Sequence, residues 1–592
     1  MKELMTGNEA VARGAYEAGV IFASAYPGTP STEILENTKK YKEIISEWAT
    51  NEKVAIESSI GASIAGARSF AAMKHVGVNV AADPLFTYAY VGVNGGFVLI
   101  SADEPGQHSS QNEQDNRNIA KMAKIAMLEP SDSQESKDMF ERAFEISEEF
   151  DTPVLFRMTT RICHSKGLVE LGERKEVGIK PYIKNVQKNV TVPAHSRIMR
   201  IRVEERINKL REFSNSTDLN FVVDNQSKIG VISSGACYYH AREVFGDSAS
   251  YLKLGFTNPL PDQKINDFCE GLDTIYVIEE NDPYIESMVR ELGYDCLGYD
   301  FFPFSGEKTP DVIRKAVYGE SIKTIEYDKS KAVGRPPTLC AGCPHRGFFY
   351  ELGKLKDTVI AGDIGCYSLG FAPPYNAMDF IVCMGGAFGA GHGFQKVNAL
   401  SDSPKRIVSV VGDSTFFHTG INGLINVAYN KSNTINVILD NRITGMTGHQ
   451  DNPGTGYKLD GECVDDIDIE PMVRASGIKH IRTIDPNNLK EVKDALKWAD
   501  ELDEPSVIIT RWPCVLKKFT DKDKAEFANA FTGKCEVQQE ICIGCRKCVN
   551  TGCPAIFFDK TLKKSFINPE QCVGCEVCLQ VCPTKAIRKV VG

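Results

Sequence analysis

Apolar positions fall into two alternating rhythms along the chain. Short continuous apolar runs closed by Gly, Asp or Pro read as buried strands; stretches with apolar residues three and four apart read as helices. Thr6 and Glu9 have capping-box spacing ahead of a helix through Ala10, Ala15 and Ala18. Val20 to Tyr26 follows as a buried strand. It ends in PGTPST, where Thr29 is expected to cap a helix that has Pro30 at its first position. In VAIESSIGASIAGA an apolar strand is expected to end at Glu57, with a small-residue helix after it. GFVLIS, Gly96 to Ser101, is another buried strand, ahead of the polar loop DEPGQHSSQNEQDNR.

Residues from about 186 to 226 are charged, with few turn signals, and read as a linker plus surface helices. A fresh α/β unit begins at Ile229 (IGVISSG), continues through Thr274 to Glu279 (TIYVIE) and ends in a polar stretch near Lys323 to Pro337. A third α/β region runs from Thr338 to about Ala530. It has strands at Arg406 to Val411 and Thr434 to Leu439, a helix from about Gly420 to Lys431, and the Gly-rich run MGGAFGAGHG from Met384 to Gly393. This alternation predicts doubly wound parallel sheets with helices on both faces. No short-period repeat is present. A chain of 592 residues exceeds one hydrophobic core. The expected domains are 1–185, 186–335, 336–530 and a small cysteine module over 531–592.

Composition narrows the classes. Apolar and charged shares of 42% and 25% are ordinary for a globular chain. A net charge of −10, with no basic stripe, argues against a nucleic-acid partner. No apolar run reaches membrane-spanning length; Tyr88 to Ile100 is interrupted by Asn94, Gly95 and Gly96. MKELMTGNEA lacks the apolar core of a signal peptide, so a cytoplasmic location is expected. Eight of the 19 cysteines lie between Cys542 and Cys582; the rest are sparse, apart from Cys340 and Cys343 with Cys366 nearby. In a long chain of a reducing compartment such clustering points to metal rather than disulfides.

The cysteine runs are Cys542-x2-Cys545-x2-Cys548-x4-Cys553-Pro554 and Cys572-x2-Cys575-x2-Cys578-x3-Cys582-Pro583. They resemble bacterial two-cluster ferredoxins, in which the first three thiolates of a run hold one [4Fe–4S] cluster and the fourth holds the other. The resemblance implies that Cys542, Cys545, Cys548 and Cys582 hold one cluster and Cys572, Cys575, Cys578 and Cys553 the second. The first run has one residue more than the pattern before Cys553. A pair of zinc sites is the competing reading, but such sites usually lack the third close cysteine and the trailing Cys-Pro.

Gly412-Asp413-Ser414 follows the strand RIVSVV, and Asn441 follows TINVILD, with a helix between them. A right-handed βαβ unit brings both strand ends to one crevice. A carboxylate, an amide oxygen and a backbone carbonyl suit Mg²⁺ when diphosphate oxygens complete its octahedron. The arrangement resembles the GDG…N motif of thiamine-diphosphate enzymes, with Ser414 in place of the last glycine and Arg442 in place of a second asparagine. The motif implies Asp413, Asn441 and the carbonyl of Ile443 as Mg²⁺ ligands, with Gly412 and Ser414 beside the diphosphate. Gly-Asp after a strand is also an ordinary βαβ turn. Gly362-Asp363-Ile364-Gly365-Cys366 is a second turn able to approach a phosphate. MGGAFGAGHG allows close backbone approach at a helix start, as tight helix packing also would. Thiamine catalysis needs a carboxyl group on N1′ of the aminopyrimidine, and Glu57, in its small-residue setting, is the candidate.

YPGTPST (Tyr26 to Thr32), DEPGQHSSQNEQDNR (Asp103 to Arg117), LCAGCPHRG (Leu339 to Gly347) and GDIGCYSLG (Gly362 to Gly370) resemble 2-oxoacid:ferredoxin oxidoreductases over essentially the whole chain. The resemblance implies a multidomain α/β chain: a pyrimidine domain, a transketolase-C-like domain, a diphosphate domain with transketolase-like doubly wound sheets, and an α+β two-cluster ferredoxin domain. It implies oxidative decarboxylation of a 2-oxoacid, an aryl pyruvate such as indolepyruvate, with single electrons passing to clusters and coenzyme A taking the acyl group. Thr29 would contact the 2-oxoacid, and Arg117 would pair with its carboxylate, with His108 as a rival. Cys340, Cys343, Cys366 and Cys514 have the spacing of a proximal third [4Fe–4S] cluster in related pyruvate-oxidising enzymes; buried thiols are the alternative. The family's gamma-type domain is missing, which implies a separate beta subunit, and external ferredoxin is the implied acceptor. No local motif for coenzyme A is present. Competing readings are another 2-oxoacid substrate, a non-oxidative thiamine decarboxylase, and an electron-relay subunit with an inactive thiamine fold.

Overall fold

The computed structural model of the chain describes residues 1–321 and 325–590, which form two compact units, Met1–Tyr327 and Asp328–Gly592. The predicted polar boundary at Lys323 begins outside the described residues.

In the first unit a seven-stranded sheet runs, edge to edge, Phe256–Asn258, Ala126–Leu128, Val154–Thr159, Phe97–Asp103, Ser69–Lys74, Phe22–Ala25 and Ile45–Trp48. All neighbours are parallel except Phe256–Asn258, which pairs antiparallel with Ala126–Leu128. A second sheet has Thr274–Ile278, Ile229–Ser234 and Ser250–Leu254 in parallel, with Asn220–Val223 antiparallel at its edge. One apolar core draws Ile56, Leu99 and Leu155 from the first region and Ile232, Leu252 and Val277 from the second. The expected division near residue 185 therefore does not separate two bodies. Phe256–Asn258 completes the large sheet, and Arg206, on the helix Pro193–Ser216, donates to the Ala89 carbonyl at 2.6 Å.

Local signals explain where elements start. Thr6 caps the helix Gly7–Glu17: its hydroxyl accepts from the Glu9 amide at 3.1 Å, while Glu9 Oε2 accepts from the Thr6 amide at 2.8 Å. Two expectations are corrected. Thr29 caps nothing, because the helix begins at Thr32. The loop before it closes on Gly28 instead, whose amide donates to Thr32 Oγ1 at 3.0 Å and whose carbonyl accepts from Ser31 Oγ at 2.8 Å. Glu57 does not end a strand. It lies inside the helix Glu52–Ile64, whose cap is Asn51, accepting from the Val54 amide at 2.9 Å. An Asn cap outweighs the short apolar run that suggested a strand.

The second unit holds a fully parallel five-stranded sheet in the order Thr358–Ala361, Arg406–Gly412, Ile435–Asp440, Ser506–Arg511 and His480–Ile484. Val408, Val410, Val437, Leu439 and Ile508 fill its core. The strands read as continuous apolar runs because helices cover both faces. The cysteine module has two antiparallel pairs, Lys534–Val537 with Ile587–Val590 and Ile556–Asp559 with Lys564–Ile567. It docks on the sheet body partly through Gln580, which donates to the Asn487 carbonyl at 2.7 Å and accepts from the Leu489 amide at 2.9 Å. Among the described residues no helix is long and apolar enough to cross a membrane.

Candidate active site

At the carboxyl ends of Arg406–Gly412 and Ile435–Asp440 the backbone turns sharply, and parallel sheets bind ligands at such ends. Asp413, 3% exposed, and Asn441 both point into this crevice: Asp413 Oδ2 and Asn441 Oδ1 each accept from the Ile443 amide at 3.2 Å. The Ser414 amide donates to Asp413 Oδ1 at 2.7 Å. Burial, with the Asp440 carboxylate adding to it, pushes Asp413 up to about 7. An anionic oxygen so disfavoured gains most from a divalent cation. Asn452, which sequence reasoning missed, donates to Asp413 Oδ2 at 3.4 Å. Arg442 takes no part in this oxygen set; its guanidinium is held by Glu526 at 2.6 Å and the Gly454 carbonyl at 3.0 Å.

The Gly362–Cys366 turn lies beside Gly412. Tyr367 Oη donates to the Ile364 carbonyl at 3.0 Å and shares a hydrogen bond with Thr415 Oγ1 at 3.1 Å. Any side chain at Gly365 or Gly412 would meet the Tyr367 ring, at 2.2 and 2.8 Å. Asp363 is buried and accepts from the amides of Gly385 and Ala387 at 2.8 and 2.9 Å, pinning the Gly-rich run at the start of the helix Ala387–Asn398. Burial pushes Asp363 up to about 6, against those amide bonds. These oxygens and close-packed turns fit a diphosphate held through a divalent cation.

Cys514 is tied to the same crevice: its amide donates to the Asn441 carbonyl at 2.9 Å. Burial pushes the Cys366 thiol up to about 12, with Cys514 and Cys340 adding to it; Cys343 is raised by burial, then by Cys366 and Cys514. The four therefore lie within electrostatic reach of one another. Among the described residues no three His, Cys, Asp or Glu side chains close on a point as around a single ion. A cube-shaped cluster asks for something else, one thiolate at each of four corners.

In the cysteine module the larger of two cavities is lined by Cys553, Cys572, Cys575 and Cys578. The smaller is lined by Cys542, Cys545, Cys548 and Cys582. Each takes the three close cysteines of one run and the distant cysteine of the other, so each gathers four thiols about one point of the module. The extra residue of the first run is absorbed in the turn Val549–Thr551, ended by Gly552 at φ 69°. Cys535, also missed from sequence, lines the larger cavity and donates its amide to Cys572 Sγ at 3.2 Å. The larger cavity is also lined by Ala341 and Gly342 of the Cys340–Cys343 loop. This crossed geometry gives a testable expectation. Cys553→Ala should remove the cluster of the Cys572 set and spare that of the Cys542 set, halving the module's iron from about eight atoms to about four. Electron paramagnetic resonance (EPR) of the reduced protein checks which signal disappears.

The first-unit candidates gather only in part. Glu57 is 44% exposed and ion-paired with Lys53. Glu52, at the start of the same helix, is instead buried at 7%, packed so closely on Gly77 that a side chain there would meet its Oε1 at 2.8 Å. Lys74, at the end of Ser69–Lys74, joins this edge: burial lowers it, while Glu104 and Glu52 act to raise it, and its side chain packs under Gly28 of the Thr29 loop. Glu104 lies 3.8 Å from Lys74. Thr29 is half-buried here. Glu52 was missed, although the Asn-Glu pair ahead of a helical stretch was a legible start signal. His108 is exposed, 3.5 Å from Glu307.

Arg117 does not present a free fork to a substrate. It is 1% exposed. Nε and Nη2 hold Asp115 at 2.6–3.0 Å, Nη1 holds Glu279 at 2.6 Å, and Nη2 also donates to the carbonyls of Glu280 and Asp282. Burial works to raise the Asp115 carboxyl, but the Arg117 and Arg157 charges outweigh it and hold it low. The guanidinium's donors are spent on this buried network.

Three family models match the chain. "Pyruvate flavodoxin/ferredoxin oxidoreductase, thiamine diP-bdg" covers residues 13–224, "Thiamine pyrophosphate enzyme, C-terminal TPP binding domain" 363–510, and "4Fe-4S dicluster domain" 541–586. The indolepyruvate oxidoreductase subunit IorA of Archaeoglobus fulgidus is 39% identical over 99% of this chain and 97% of its own. The subunit of the same name from Methanothermobacter marburgensis is 40% identical with the same coverage. A solved 2-oxoglutarate:ferredoxin oxidoreductase from Magnetococcus marinus superposes with a TM-score of 0.45 at 18% identity, over 54% of this chain and 65% of that one.

Proposed function

This chain belongs to the family of indolepyruvate oxidoreductase IorA subunits, and from that premise we propose that it is the catalytic subunit of an indolepyruvate:ferredoxin oxidoreductase. It is a thiamine-diphosphate- and iron–sulfur-dependent oxidoreductase subunit of a multi-subunit complex. The reaction we assign is oxidative decarboxylation of aryl pyruvates, indolepyruvate and phenylpyruvate among them, with coenzyme A to the arylacetyl-CoA, CO₂ and reduced ferredoxin. One observation carries the reading: the Cys514 amide bonds the Asn441 carbonyl, so the oxygen crevice and the cysteine quartet meet at the ends of two neighbouring parallel strands. A reaction that releases electrons singly needs its first acceptor beside the carbon that gives them up.

Thiamine diphosphate supplies the carbon nucleophile that adds to the 2-oxo group and retains the electron pair when CO₂ leaves. Asp413, Asn441 and the Ile443 carbonyl would hold Mg²⁺ for its diphosphate. Glu52, rather than Glu57, would hold the proton at N1′ of the pyrimidine, because a buried carboxyl keeps a short, water-free hydrogen bond that an exposed one loses. Lys74, rather than Arg117, would face the substrate carboxylate, next to Thr29. Cys340, Cys343, Cys366 and Cys514 would hold the first cluster. The Cys572 set, whose cavity the Cys340–Cys343 loop lines, and the Cys542 set would hold two further clusters, which would supply one-electron carriers toward an external ferredoxin. A separate beta subunit would supply the gamma-type domain.

The test is a steady-state assay of the anaerobically purified complex across aryl and alkyl 2-oxoacids, with ferredoxin reduction as readout. Aryl substrates should give arylacetyl-CoA and reduced ferredoxin; free aldehyde as the main product would sink the oxidative reading. About twelve iron atoms per chain are expected with three clusters. A count near eight would remove the quartet from the electron path.

A further inference from the structure

Arg346 is 1% exposed, and among the described residues it has no acidic partner to account for its burial. Its guanidinium meets four neutral oxygens. Nη1 donates to Tyr375 Oη and to the Thr551 carbonyl, the latter at 3.0 Å; Nη2 donates to the carbonyls of Leu339 and Cys340, both at 2.7 Å. Nε is buried and unpartnered among the described residues. Other enclosed arginines are treated differently: Arg68, Arg117, Arg157, Arg206 and Arg442 each have a carboxylate in ion-pair reach. A buried cation facing only neutral oxygens is costly unless an anion sits close by.

Its surroundings say where that anion belongs. Arg346 lines the cavity of Cys553, Cys572, Cys575 and Cys578, and does not line that of Cys542, Cys545, Cys548 and Cys582. Its other side grips the Cys340 carbonyl. Arg346 therefore touches both cysteine sets, lining one cavity with Cys575 and bonding the Cys340 carbonyl of the other. A cluster bound by four thiolates is an anion when oxidised and a stronger one when reduced, and nearby charge is a main lever on its potential.

We propose that Arg346 is the internal counter-charge of the iron–sulfur path, neutralising the clusters of the Cys572 set and of the Cys340 quartet and raising the reduction potential of both. This rests on the assignment of those cysteines to clusters. The guanidinium fits the place because its planar fork bonds carbonyls from two segments while its charge stays permanent. It is a positioning residue: it acts through the clusters and touches no substrate.

The experiment is an EPR-monitored redox titration of the anaerobically purified complex, with iron content measured on each sample, for the wild type, Arg346→Gln and Arg346→Lys. Arg346→Gln should shift the oxidised-to-reduced ratio of the Cys572-set cluster about tenfold towards oxidised at a fixed potential, about 59 mV for one electron. The Cys542-set cluster should move less. Arg346→Lys, which keeps the charge, should stay near the wild type. If Arg346→Gln loads poorly but Arg346→Lys loads fully, the requirement for charge stands. Equal shifts or equal iron loss in both variants would make Arg346 a structural pin and overturn the proposal, as would a wild-type ratio in fully loaded Arg346→Gln. Absence of iron from the wild type would instead remove the cluster assignment beneath it.

Discussion

Glu52→Gln should lower turnover about 10²–10⁴-fold, the range of a lost general acid–base contact, while Glu57→Gln leaves it unchanged. The two residues share one helix, five positions apart in sequence, yet their settings differ. Glu57 is half-exposed and paired with Lys53, so losing its charge disturbs only a surface ion pair. Glu52 is buried against Gly77 at the end of the parallel strands, where the Thr29 loop and Lys74 also lie. Gln keeps its shape and packing and removes only the carboxylate, so folding and iron content should hold while ferredoxin reduction collapses. Steady-state rates and iron counts on both variants decide it. A collapse in Glu57→Gln with normal rates in Glu52→Gln would restore the exposed residue to the catalytic role.

Arg117→Met should destabilise the protein by about 3–5 kcal/mol, the cost of stripping one partner from a buried ion pair. Glu279 would be left enclosed with its countercharge gone, Asp115 would keep Arg157 at 3.9 Å, and the carbonyls of Glu280 and Asp282 would lose a donor. Thermal unfolding of the whole complex reads the loss directly. Lys74→Met should instead raise KM for the 2-oxoacid with a smaller change in stability, since the Lys74–Glu104 pair is long, at 3.8 Å. A raised KM in a stable Arg117→Met would return the carboxylate contact to Arg117.

Much of this protein was legible without coordinates. The cysteine spacing marks an iron–sulfur module, because each cluster needs its ligands at short intervals in the chain. The GDS…N pair after two apolar strands marks a shared crevice, because a parallel βαβ unit delivers both strand ends to one place whatever surrounds it. The Thr6–Glu9 capping box is equally local, and the helix starts where it says.

What only the tertiary structure decided concerns burial and distant partners. Glu52 and Glu57 are the same residue type in one helix; which carboxyl is enclosed depends on Gly77, in another helix. Arg117 looked like a free fork because Glu279 and the Glu280 and Asp282 carbonyls lie far along the chain. That Phe256–Asn258 returns across the limit near residue 185 to finish the first sheet was likewise a matter of the fold. Arg346 lay within the LCAGCPHRG run, but its role did not show there, since its meaning lies in having the Cys340 loop on one side and the Cys572 cavity on the other. Local geometry is written in the order of residues. Electrostatics and burial are set by whatever the fold brings within a few ångströms, and that is a property of the whole chain.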